Sequence, residues 1–169
     1  MLEKSPEDLR ALAALADAQL ELGRVEESGK TVQKMVDLKP NLPSYGRASW
    51  IRWLMGDPAG AKQLAVSALD AGRDKRDLEA RAWTFCQTAS YFWHEGDFEG
   101  AEAGYDQALA LIPAYAPALA GKARAALSRG DAARALPLVN QAFEKFPTVP
   151  FGVLRARVMD ALKDPKAAD

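Results

Sequence analysis

The chain has 169 residues, enough for one domain with a substantial core. Acidic residues number 23 and basic residues 22, a formal charge of −1, so there is no cationic surplus of the kind that holds nucleic acid. A lone cysteine, Cys86, excludes an internal disulfide, and the longest uncharged run, 107–121, is too short for a membrane span and is broken by Pro113 and Pro117.

The opening MLEKSPEDLR lacks the basic-then-apolar start of a secretory signal, which points to a soluble, cytoplasmic protein. Leu2 to Pro6 has the form of an earlier helix's tail closed by proline, while Ser5 to Asp8 equally fits a capping box for a helix starting near Leu9. From there the pattern is helical throughout. Alanine, a strong helix former with little bulk, occurs 33 times, and no stretch alternates apolar and polar residues like a strand.

Four segments then share one plan: ELGRVEESGKTVQKMVDLKP (Glu21–Pro40), LMGDPAGAKQLAVSALDAGR (Leu54–Arg73), HEGDFEGAEAGYDQALALIP (His94–Pro113) and SRGDAARALPLVNQAFEKFP (Ser128–Pro147). Their marker glycines, Gly23, Gly56, Gly96 and Gly130, are 33, 40 and 34 residues apart, a period that signals stacked helix-turn-helix units. Each glycine is expected to end a helix at a positive φ, and Asp57, Asp97 and Asp131 to cap the helix that follows. Prolines close the second helices at Pro40, Pro113 and Pro147. The long spacing around RDKRDLEARAW predicts a lengthened first helix in the third unit. Pro137 falls inside a predicted helix, where it removes a hydrogen bond, so a kink or a late start is expected. VPFGVLRARVMDALKDPKAAD adds a fifth first helix, and its Asp164-Pro165 mirrors Asp57-Pro58, where a second helix begins. Neither end carries an obvious polar cap, from which the chain reads as a piece of a longer array or multidomain protein.

Two rows of small residues accompany the glycines. Ala16, Ser49, Ala89 and Ala123 lie on first helices, and Ser28, Ala61, Ala101 and Ala135 on second helices. Side chains that small let two helices cross closely. Larger residues fill the space around them: Leu12, Tyr45, Phe85 and Leu119 on first helices, Val32, Tyr105 and Val139 on second ones.

These rows, glycines and prolines resemble the tetratricopeptide repeat family over roughly Leu9 to Pro147. The resemblance implies an all-α fold, a right-handed α-α superhelix or solenoid of about four repeats plus a partial fifth. The boundaries are 9–41, 42–75, 76–115, 116–148 and 149–169, with 1–8 as the tail of a preceding repeat or a cap. The chain departs from the family where a bulky residue precedes the turn: Gln19, Arg52 and Ala126 stand there, and Phe92 alone keeps the pattern.

Catalysis finds little support in the residues. His94 is the single histidine, and no Cys-x-x-Cys accompanies it, so neither a zinc site nor any other metal or cofactor is implied. Cys86 and His94 are eight residues apart, about 12 Å along one helix, too far to pair. Ser90 and His94 are four apart, but no glycine-rich elbow surrounds them.

The resemblance points instead to binding, because first helices in this family line the concave side and hold peptides. Transferred by register, the groove-facing set is Arg47, Trp50, Trp53, Trp83, Gln87, Ser90, His94 and Arg124, aromatic in the middle with basic flanks. Trp83, Gln87, Ser90 and His94 form one helical stripe, and Trp and Arg are common hot-spot residues. Each tryptophan could instead be wedged between repeats, the usual fate of that side chain. Trp83 is the first choice as an exposed anchor and Trp50 the second. The Lys/Asn/Arg clamp by which some family members hold a peptide's terminal carboxylate is not matched, since Ala13, Asp17, Arg47, Trp83 and Gln87 occupy the relevant places. The expected function is a non-catalytic scaffold for a protein or peptide. The alternatives are the regulatory or targeting arm of a larger enzyme, and a homodimer formed through unfinished repeat ends.

Overall fold

The computed structural model describes residues 7–73 and 77–163. Among them the chain forms nine α-helices and no strand: α1 (Leu9–Glu21), α2 (Val25–Leu38), α3 (Leu42–Leu54), α4 (Pro58–Ala71), α5 (Leu78–His94), α6 (Phe98–Leu111), α7 (Ala116–Ser128), α8 (Ala132–Lys145) and α9 (Val149–Ala161). They divide into two compact units, one up to Ala80 and one from Arg81 onward. The all-α repeat fold expected from the sequence is therefore what the chain adopts.

The glycine corners work as expected. Gly23, Gly56, Gly96 and Gly130 have φ of 73°, 79°, 82° and 81°. A Cβ at any of them would meet nothing within 4 Å, so the requirement is conformational rather than spatial. At each corner the amide after the glycine donates to a carbonyl five residues back: Arg24 to Gln19, Asp57 to Arg52, Asp97 to Phe92 and Asp131 to Ala126, at 2.8 to 2.9 Å. This is the bond of a Schellman turn, and it satisfies carbonyls the helix end would otherwise leave open.

Helix starts follow the caps. The Asp57, Asp97 and Asp131 carboxylates accept from the amides of Gly60, Gly100 and Arg134. Arg24, in the first corner, offers no side-chain cap. Asp8 caps α1 by accepting from Arg10 and Ala11. Ser5 and the segment Leu2 to Pro6 lie outside the described residues, as do Asp164 and Pro165. In α8 the expected late start does not occur: the helix begins at Ala132, directly after its cap, and runs past Pro137 to Lys145. Pro137 is on the exposed side, so the carbonyl that loses its amide partner one turn earlier, on exposed Ala133, can be hydrated. The lengthened helix is found. α5 has 17 residues against 13 in α1, α3 and α7.

Both rows of small residues are buried, and they are where the paired helices touch. Where serine replaces alanine, its hydroxyl donates to the backbone of the opposite row. Ser28 on α2 donates to the Ala16 carbonyl of α1 at 2.9 Å, and Ser49 on α3 to the Ala61 carbonyl of α4 at 2.8 Å. A polar atom is thus carried into a fully buried contact without being left unpaired. In the first unit Ala16, Val32 and Ile51 form a core cluster. In the second, Ala82, Ala89, Ala101 and Tyr105 pack together, and Leu119, Val139, Leu154 and Val158 anchor a further cluster across α7, α8 and α9.

Candidate functional site

In the first unit the candidate residues stand on α3. The Arg47 guanidinium donates twice to the Asp17 carboxylate of α1, Nε to Oδ1 at 3.0 Å and Nη2 to Oδ2 at 2.8 Å. The basic flank expected at Arg47 is therefore a neutral ion pair, because its partner stands one repeat upstream. Trp50 and Trp53 are half-buried.

In the second unit α5 supplies four of the candidates. Trp83 is 56% exposed, while Gln87 and Ser90 are half-buried and His94 is exposed. The Ser90 hydroxyl donates to the Gln87 carbonyl at 2.6 Å, so it is spent within its own helix. Trp83 is displayed by the lengthening of α5. At the same register α3, α7 and α9 carry Pro43, Pro117 and Pro150 in their first turns, whereas the extra residues of α5 precede Trp83 and put it inside the helix.

Beyond Trp83 the same helix presents a built cluster. Trp93 Nε1 donates to the Ser128 hydroxyl of α7 at 3.0 Å, fixing the indole between the two first helices. The Arg124 guanidinium lies over that ring, 5.4 Å from its centroid, and the His94 ring meets it edge-on at 4.8 Å. The structure thus brings His94 and Arg124 together through Trp93. Neither Trp93 nor Ser128 belongs to the set transferred by register. A signal for Trp93 was present, since it stands 40 residues after Trp53, the same spacing that separates Gly56 from Gly96.

Cys86 lies in the core of the second unit, and burial pushes its thiol up to about 12. Burial is also the first cause that raises the nearby Tyr105 hydroxyl to about 12, with Arg124 pulling the other way. Such a thiol is not a nucleophile at neutral pH. Both groups are held neutral by the fold, so their contribution to stability is whole below their ordinary values of 9.0 and 10.0 and is lost as pH rises toward about 12. Urea midpoints measured from pH 8 to 11 should therefore fall, and fall less in Cys86→Ala and Tyr105→Phe. In the native chain Cys86 should resist alkylation at pH 8 and become reactive in denaturant. Among the described residues no three His, Cys, Asp or Glu side chains gather as metal ligands, and no helix is long and apolar enough to cross a membrane.

Two tetratricopeptide repeat family models match residues 2–43 and 92–158, together more than half of the chain. Among solved structures, a thermophilic tetratricopeptide repeat protein of Thermus thermophilus is 26% identical, with TM-score 0.80 over 96% of this chain and 86% of that one. PilW, a type IV pilus biogenesis factor, is 18% identical with TM-score 0.81, covering 99% of this chain and 76% of that one. A chain of the APC/C hetero-tetramer Cut9–Hcn1 is 15% identical with TM-score 0.75; 87% of this chain spans 29% of it. The last two likenesses are of fold alone, and no curated protein matches. With its paired helices, glycine corners and two model matches, the chain belongs to the tetratricopeptide repeat family.

Proposed function

We propose that the chain is a non-catalytic scaffold that holds a segment of another protein against the faces of its first helices, with α5 and α7 of the second unit carrying the anchors named below. The helices are read as repeats 9–41, 42–75, 76–115 and 116–148 plus a partial fifth. The relatives support this reading at the level of the fold, two of them being named for a pilus biogenesis factor and a hetero-tetramer. The observation that carries it is Trp83, a large aromatic side chain left 56% exposed on the helix that also bears Trp93, the ring covered by Arg124. An open face with few anchors suits a Kd of about 1 μM.

The test is a library of random dodecapeptides displayed on phage and selected against the 169-residue chain. Selected peptides should lose about 2 kcal/mol of affinity on Trp83→Ala, the hot-spot scale, with little change in Tm. Equal binding by the variant, or a collapse of Tm, would place Trp83 in packing and remove the anchor.

A second reading, self-association, is favoured by the apolar residues around α9. Phe146, Val149 and Val153 are 61%, 80% and 49% exposed. Light scattering over a dilution series distinguishes a dimer from a monomer.

A further inference from the structure

We infer that the seam between α5 and α7 receives a side-chain carboxylate of the bound segment, gripped by Arg124, an inference that rests on the protein-binding reading above. The Arg124 guanidinium is backed by the Trp93 ring, and that ring is pinned by the Ser128 hydroxyl. Stacking occupies a face of the guanidinium and leaves its N–H donors, which point outward in its plane, in want of acceptors. The neighbouring cations have theirs: Lys122 pairs with Asp106, and Arg129 and Arg134 with Glu102. Arg124 has no carboxylate partner among the described residues.

Register adds a second cation. Arg157 on α9 stands 33 residues after Arg124, is exposed, and likewise has no carboxylate partner among the described residues. Consecutive first helices of this unit thus present uncompensated guanidinium groups at one level. The complementary ligand is an acid. Planar carboxylate oxygens accept two parallel N–H bonds from such a fork, and charge-assisted bonds of that kind are the strong ones.

The spacing narrows the partner further. Trp83 and Trp93 are ten residues apart on α5, about 15 Å along the axis. An extended segment covers that in about five residues. The recognised segment therefore carries a bulky apolar side chain for Trp83 and an Asp or Glu about five or more residues away for Arg124, which stands across the seam on α7.

The displayed dodecapeptides, fused through their C-termini so that every carboxylate offered is a side chain, are selected in parallel against the wild-type chain and Arg124→Gln. Wild-type clones should be enriched in Asp or Glu at that distance from an apolar residue. Synthetic copies should bind about tenfold more weakly when the acid becomes its amide. The same change should make no difference against Arg124→Gln, and Arg124→Lys should restore part of the preference; equal Tm values establish that the variants are folded. Clones that bind through Trp83 with no acid preference, or with a preference unchanged in Arg124→Gln, overturn this inference and leave the protein-binding reading standing. A synthetic peptide whose affinity depends on its free C-terminus instead assigns Arg124 to chain ends and also overturns it. A library that yields no binder at all removes both readings.

Discussion

Gly121→Ala should destabilise the second unit by about 2–3 kcal/mol, although alanine is the better helix residue. A Cβ built on Gly121, in the middle of α7, would stand 2.3 Å from Cε1 and Cζ of Tyr105 on α6. Tyr105 is 2% exposed and packs among Ala82, Ala89 and Ala101, so its ring has no free space to enter. Gly46→Ala provides the contrast. It too lies inside a helix, α3, but its new Cβ meets nothing within 4 Å, and it should gain about 0.5–1 kcal/mol. The two sites can be coupled experimentally. Tyr105→Ala alone should cost about 3–5 kcal/mol through the cavity it leaves, and adding Gly121→Ala to it should recover stability rather than lose more. Urea denaturation of the four variants reads all of this. A neutral Gly121→Ala would mean that α6 and α7 can move apart at no cost.

The other large effect is at the small-residue rows. Ala135 on α8 is fully buried opposite Ala123 on α7. Ala135→Leu inserts three carbons where neither helix can yield, and a loss of about 3 kcal/mol is expected. Ala135→Ser should behave quite differently. In the first repeat Ser28 occupies the equivalent place and donates to the Ala16 carbonyl, so a serine at 135 has the Ala123 carbonyl as its acceptor. That variant should stay within about 1 kcal/mol of the parent, since a buried hydroxyl with a partner is close to neutral. A serine as costly as the leucine would show that burial of any extra atom, not bulk, is what the row forbids.

The rows, corners and caps were legible in the sequence because each rests on a local rule repeated at a constant interval. A positive φ needs glycine, a helix start needs an oxygen three residues before an open amide, and a close crossing needs a small side chain. What could not be read depends on which side chain of one helix meets which of the next. The pairing of Arg47 with Asp17 joins residues 30 apart, and that of Trp93 with Ser128 residues 35 apart. Those distances are near the repeat period, but nothing in the period says which residue types will meet. Nor does the period say that Trp93, the equivalent of Trp53 one repeat later, meets Ser128 and Arg124. At Pro137 the expectation was a kink or a late start, and the late start does not occur, because the cap at Asp131 and burial of Ala132 and Ala135 outweigh one lost bond.

The four helix ends at Gln19, Arg52, Phe92 and Ala126 are closed by main-chain oxygens alone. The side chains at those positions take no part in that bond, so an amide, a guanidinium, a phenyl ring and a methyl group can succeed one another there. Each has a task of its own: Gln19 accepts from the Thr31 hydroxyl, Arg52 pairs with Asp57, Phe92 packs on a core cluster and Ala126 is buried in one. A corner closed by its own backbone leaves each repeat to choose the side chain there for the neighbour it meets, while the framework stays as it is.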